Sequence, residues 1–287
     1  MVVCLGDFFD SPNLNAEELT ALSDIQWANI PHHFLVGNHE IGSHNLDVSS
    51  SHLLSLGNMI VESQPIITYY PNNLEICYLP YVFEEDRKFI YDTFAPTQNK
   101  RIIFSHNDIK GVQMGAFVSV AGYGISEIEN NCSLFINGHL HNGGKIGNKI
   151  INCGNLTGQN FSEDAFKYDH VALVLDTDTL KVAAFENPYA INFYKIENIE
   201  QLNNIKNNSV LTIKCAEEDV SNIRNRVDAD IRVLQYKLVL ARTNHVVESE
   251  LIEELNTVDH LKLFKEFILK ELGESAGVIE ELNEVCR

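Results

Sequence analysis

Several things are scarce or missing in this 287-residue chain. No apolar run approaches the roughly 18 uncharged residues a membrane helix needs, and MVVCLGDFFD places no basic segment ahead of an apolar one, so the sequence predicts a soluble, cytoplasmic protein with no membrane association. No C-x-x-C pair occurs. The six cysteines (Cys4, Cys77, Cys132, Cys153, Cys215, Cys286) are dispersed, which excludes a thiolate zinc site and predicts reduced, mostly buried thiols. There is no repeat of 20 to 50 residues, as solenoids would show. Basic residues are the most conspicuous shortage. Lys and Arg number 21 against 40 Asp and Glu, a net charge of −19, and neither residues 1–190 (net −13) nor residues 191–287 (net −6) offers a basic half. Unaided tracking of nucleic-acid phosphates is therefore disfavoured.

What remains is an ordinary globular balance, 45% apolar and 21% charged, with chain enough for one large domain or two modest ones. Val2 to Leu5 reads as a buried strand ending at Gly6-Asp7, and Asn15-Ala16-Glu17-Glu18 as a capping box opening a helix to about Trp27. His33 to Val36 is a second strand, running into Gly37-Asn38-His39-Glu40. A short helix near Ser50 to Leu56 follows, then strands at Met59 to Glu62, Ile66 to Tyr70 and Leu74 to Leu79, and a helix over Glu84 to Phe94. Arg101 to Phe104 ends at Ser105-His106-Asn107, and Leu134 to Asn137 at Gly138-His139-Leu140-His141. Ile150 to Cys153 precedes a hairpin of Val171 to Leu175 and Lys181 to Phe185. An Asn-rich stretch over 197–209 marks a domain boundary, and beyond it strand, helix and strand are expected over 210–215, 217–227 and 231–240, then acidic helices.

Four strand ends thus carry Gly-Asp, Gly-Asn-His, Ser-His and Gly-His-x-His, and the carboxyl ends of strands are where open α/β sheets place their sites. Carboxylate, carboxamide and imidazole donors suit manganese, iron or zinc rather than a thiolate-loving ion. Two such ions can clamp a phosphoryl oxygen and acidify water. Gly143, Gly144 and Gly147 read as a loop beside His141, in which Lys145 or Lys149 would reach a substrate phosphate. His32, His33, His44, His52, His170, His245 and His260 lack partner spacing and read as surface or satisfied core residues.

Through GDFFD (Gly6 to Asp10), GNHE (Gly37 to Glu40), SHN (Ser105 to Asn107) and GHLH (Gly138 to His141), the chain resembles the calcineurin-like metallophosphoesterases. Within that superfamily it looks most like Mre11/SbcD-type nuclease subunits, including the short phage forms, with Leu54 to Val61, Leu79-Pro80-Tyr81 and Glu186-Asn187-Pro188 as supporting features. The resemblance implies a four-layer α/β/β/α sandwich over residues 1–196 with a small C-terminal α+β capping and partner-docking region over 209–287. It implies two divalent ions, manganese first and iron or zinc as alternatives. Asp7 would bridge them, Asn38, His106 and His139 would complete one site and His141 would serve the other. His39 would be the general acid, Glu40 would orient its imidazole, and Asp10 and Lys145 would contact substrate. The implied activity is hydrolysis of DNA phosphodiesters in repair or recombination, as a homodimer with an SMC-like ATPase of the Rad50/SbcC type, on which a helix over 258–272 would dock.

One departure stands against this pattern. The family's Asp-x-His motif at the end of a preceding strand does not occur, so the domain would lack its first strand and helix and present an unpaired edge. A start placed downstream of the true one, a single-ion enzyme, and a catalytically impaired scaffold each account for this, and intact downstream ligands favour the first. A phosphodiesterase or phosphatase for small substrates is the alternative that an acidic surface tolerates better.

Overall fold

The computed structural model describes residues 1–55, 59–87, 97–114 and 117–240. The chain divides into two units, the first of residues 1–215 with 220–239. The first is mixed α/β with several sheets. The rest of the helix expected from Glu84, the segment 56–58, the acidic C-terminal helices with the docking helix over 258–272, and His245, His260 and Cys286 lie outside the described residues.

A small parallel sheet is built from β1 (Val2–Cys4), β2 (His32–Leu35) and β3 (Met59–Glu62), in the order β1-β2-β3. Helix α1 (Ala16–Asp24) lies between β1 and β2, and its N-terminus carries the expected capping box: Asn15 Oδ1 accepts the Glu18 N–H at 2.9 Å, while Glu18 accepts the Asn15 N–H at 2.7 Å. β1 is an edge, paired on one side only, and Val2 remains 44% exposed.

A six-stranded sheet contains β4 (Ile66–Tyr70), β5 (Leu74–Leu79), β6 (Lys100–Ser105), β7 (Leu134–Asn137), β8 (Gly144–Ile146) and β9 (Ile150–Asn152), in the order β8-β9-β7-β6-β5-β4. Its centre, β9-β7-β6-β5, is parallel. Strands buried on both faces lose the in–out polarity of a surface sheet, and β5, β6 and β7 accordingly read as near-continuous apolar runs. Their alternation still sorts side chains between two cores. Cys77, Leu79, Ile103 and Phe135 pack with Ile128 of helix α2 (Ile125–Asn131) and with Cys132, which follows it. Ile76, Tyr78, Ile102, Phe104, Leu134 and Ile136 pack instead against Leu35 of β2, Val3 of β1, and the antiparallel hairpin of β10 (Val171–Leu175) and β11 (Val182–Glu186). A third core on the far side of the small sheet joins Phe9, Phe34 and Leu54 with Leu22 of α1 and Trp27. A fourth unites β12 (Asn192–Ile196), β13 (Ser209–Cys215), helix α3 (Val220–Asp228) and β14 (Val233–Leu240) through Tyr194, Ile196, Leu211, Ile213, Ile223 and Val227. The Asn-rich stretch expected as a boundary forms the crossover between the parallel strands β12 and β13, with Leu202 and Ile205 buried in that core.

Burial pushes the thiols of Cys4, Cys77 and Cys132 up to about 12 and that of Cys153 to about 11, and all five described cysteines are free. Among the described residues no helix is long and apolar enough to cross a membrane.

One ion pair is embedded in the large sheet. Arg101 Nε lies 2.8 Å from Glu75 Oε2, and both residues are buried. Burial would raise the Glu75 carboxyl, but Asn99, Arg101 and Thr97 outweigh it and hold it below the ordinary value. This stabilisation is present above the ordinary carboxyl range and fades as pH falls through the depressed value. Glu75→Ala, which leaves a buried guanidinium without its carboxylate, is expected to cost about 3–5 kcal/mol in urea unfolding. A loss below about 1 kcal/mol would show that the pair contributes little.

Candidate metal centre

Four strand ends converge at one end of the two sheets. After β1 the chain turns through two consecutive positive φ angles, 94° at Gly6 and 50° at Asp7. Gly reaches this region freely and Asp tolerates it. The turn has no room for a larger residue: a Cβ at Gly6 would sit 2.3 Å from His106 Nδ1, and one at Gly37 would sit 2.1 Å from Asp7 Oδ1. The glycines preceding Asp7 and Asn38 are thus set by close approach as much as by backbone angle.

Asp7, His106 and His139 offer donor atoms that all lie within 4.8 Å of one another. His106 Nε2 is the hub, 3.0 Å from Asp7 Oδ2, 3.1 Å from His139 Nδ1 and 3.2 Å from Asn38 Oδ1. Its other nitrogen, Nδ1, lies 2.6 Å from the Leu5 carbonyl oxygen, which can only accept a hydrogen bond. The ring proton therefore belongs on Nδ1, and the Nε2 lone pair faces a carboxylate oxygen, a carboxamide oxygen and a second imidazole nitrogen. Four lone-pair donors facing one another repel unless a cation or an extra proton lies among them. The set fits a divalent ion by its chemistry, and it brings together Asp7, Asn38, His106 and His139, the four residues that the resemblance groups.

Burial alone would raise the Asp7 carboxyl, but an extra proton on His106 Nε2, through its hydrogen bond and charge, together with the His39 N–H at 3.0 Å, holds it below the ordinary carboxylate value. Asp108, one residue beyond the SHN motif, was not singled out from the sequence. Its Oδ1 lies 3.3 Å from His139 Nε2, and that imidazole, followed by Arg87, holds its carboxyl low.

The remaining expected site residues are arranged differently. His141 lies outside the donor group: its Nδ1 is 3.2 Å from Glu163 Oε1, a hydrogen bond that raises the imidazole above its ordinary value. Glu163 is itself buried and takes the Asn155 side-chain amide at 3.1 Å. His170, expected as a surface or satisfied core residue, is buried 3.8 Å from the same carboxylate. Glu40 was expected to orient His39, yet its carboxylate turns the other way. It is fully buried and accepts the Gly37 N–H at 2.8 Å and the Phe9 N–H at 3.1 Å, tying the GDFFD and GNHE loops together, and burial pushes its carboxyl up. The partner of His39 is Asp10, with Nδ1 and Oδ1 3.1 Å apart. Gln159 Nε2 donates to the same Asp10 oxygen at 2.8 Å. Both members of the His39–Asp10 pair are accessible, with side chains 42% and 70% exposed. Lys145 projects into solvent from β8, a strand antiparallel to β9 where a loop was expected, because β9 offers a free edge to the chain returning from His141.

A ladder of buried asparagines braces these loops. Asn107 and Asn137 exchange two hydrogen bonds at 3.0 Å, Asn137 donates to Asn152 at 3.2 Å, and Asn152 donates to the Leu140 and Asn142 carbonyls at 2.6 and 2.9 Å. Each Asn serves backbone groups that a strand end leaves unpaired. No protein-family model matches the chain, and no curated protein matches it.

Proposed function

We propose that the chain is a metal-dependent phosphodiester hydrolase of the calcineurin-like metallophosphoesterase type, similar to Mre11/SbcD-type nuclease subunits. The observation that carries this reading is the convergence of Asp7, Asn38, His106 and His139 on one point with their lone pairs turned inward. The stacking of cores, with α1 outside the small sheet, the small sheet against the large one, and α2 beyond it, supports a four-layer α/β/β/α sandwich. Manganese suits a set of two oxygens and two imidazoles, with iron or zinc as alternatives.

In this reading the four residues hold a divalent ion, which when bound supplies Lewis-acid activation of water and of the phosphoryl oxygens. The protein's own groups do the rest. His39 stands outside the donor set, exposed, with its Nδ1 on Asp10, so that Nε2 is the nitrogen free to meet a substrate. It donates a proton to the departing oxygen of the diester, and Asp10 holds the ring so that the proton resides where it is needed. Glu40 acts beneath this pair by fixing the two loops that carry it. His141, held by Glu163, is the ligand available to a second ion. DNA, a second copy of the chain and an SMC-like ATPase are the partners this reading proposes.

The test is a manganese titration by calorimetry combined with hydrolysis of linear duplex DNA and of bis(p-nitrophenyl) phosphate. Saturable binding and chelator-sensitive turnover are expected. No binding at millimolar manganese would overturn the reading and favour a non-catalytic scaffold. The net charge of −19 favours a second reading, a phosphodiesterase for small substrates, and turnover of the small diester with none of DNA at any salt concentration would select it.

A further inference from the structure

We infer that Asp108 is a positioning residue for His139 and that Arg87 holds Asp108 in place. The inference rests on His139 being an ion ligand, as proposed above. A neutral imidazole has one N–H and one lone pair, and which nitrogen binds an ion is decided by what the other one bonds to. For His106 the decision falls to the Leu5 carbonyl oxygen at Nδ1. For His139 the geometry is mirrored. Nδ1 faces the donor set, 3.1 Å from His106 Nε2, and Nε2 faces Asp108 Oδ1 at 3.3 Å. A carboxylate accepts and does not donate, so Asp108 places the His139 proton on Nε2 and frees the Nδ1 lone pair for the ion. Both rings are thereby held, in the metal-free chain, in the tautomer that binding requires.

Asp108 is suited to this because it is itself immobilised. Its Oδ2 lies 3.5 Å from Arg87 Nη2, and the buried Arg87 side chain also meets the Val82 carbonyl at 3.4 Å, the Glu84 carboxylate, and the Tyr123 ring, 5.6 Å from its centroid. The Asp108 carbonyl accepts the Tyr123 N–H at 3.1 Å, and Gly122, at φ 95°, packs so closely that a Cβ there would lie 2.2 Å from the same oxygen. Asp108 lies outside the Asp7–His106–His139 group, which assigns it to support of a ligand rather than to the ion.

The experiment uses the full chain. Nitrogen-15 NMR of the metal-free protein reads the His139 tautomer, and calorimetry reads manganese affinity. Wild type should show His139 protonated on Nε2. Asp108→Ala should show a tautomer mixture and bind manganese about ten- to a hundredfold more weakly, whereas Asp108→Asn, which keeps an acceptor oxygen, should retain the tautomer and most of the affinity. Arg87→Gln should fall between. Loss of thermal stability in Asp108→Ala with tautomer and affinity unchanged would overturn the inference and leave Asp108 as a structural partner of Arg87. If Asp108→Ala fails to fold, Asp108→Asn and Arg87→Gln decide by the same two readings. A wild type that binds no manganese would remove the functional reading, while the tautomer comparison would still decide whether Asp108 sets the ring.

Discussion

Exchange of His106 for alanine is expected to weaken manganese binding by about three orders of magnitude, roughly 4 kcal/mol, and with it to abolish phosphodiester hydrolysis. The size follows from the position of the ring. Its Nε2 is within 3.2 Å of the other three donors, so its removal separates them rather than subtracting one from a set that persists. The same change deletes the bond from Nδ1 to the Leu5 carbonyl and leaves space in a buried position. His106→Gln, closer in volume and still able to reach that carbonyl, separates the two effects: it should recover much of the thermal stability and little of the affinity. Manganese affinity within threefold of wild type in both variants would disprove the assignment.

Replacing His39 with alanine should have the opposite signature, a fall in turnover of about 10²–10⁴ with manganese affinity preserved. The ring contacts Asp10 and not the donor set, so an ion should bind as before. A general acid matters most when the leaving oxygen is basic. The defect should therefore be large with DNA, whose departing alkoxide needs a proton, and small with bis(p-nitrophenyl) phosphate, whose phenolate leaves unaided. Asp10→Asn should lower DNA turnover by a smaller factor, about tenfold, because the ring is misoriented rather than absent. Equal defects on both substrates would assign His39 to substrate binding instead.

Much of this architecture is legible in local sequence. Asn15-Ala16-Glu17-Glu18 forms the capping box its residue types demand, Met59–Glu62, Ile66–Tyr70, Leu74–Leu79 and Leu134–Asn137 fall where apolar β-rich runs lie, and Asp176 turns the hairpin by accepting the N–H groups of Asp178 and Thr179. Helix α1 stops at Asp24, short of Trp27, because Ile25 turns to an extended conformation and Trp27 is drawn into the core beside Phe34. The misses are those that depend on a distant partner. Gly144–Ile146 is too short and glycine-rich to announce a strand and exists by pairing with β9. Helix α2, Ile-Ser-Glu-Ile-Glu-Asn-Asn, is too polar and brief to show an apolar stripe. Asn192–Ile196 reads as a strand only beside β13. At the site, the four donors carry their own motif signatures, but the supporting carboxylates do not. Glu40 adjoins His39 in sequence and serves two backbone N–H groups, whereas Asp10, 29 positions away, meets the ring. Which acid faces which imidazole is decided by loop direction in three dimensions, and that is invisible to spacing.

Asp7 and Asn38 hang from the small sheet, His106 and His139 from the large one. A cation seated among them would rivet the two together at one rim, while Leu35, Tyr78 and Phe104 glue the interior of the same seam. Chelation should therefore loosen that seam from the rim inward, quickening amide exchange in β1 and β2 and sparing the outer face of the large sheet.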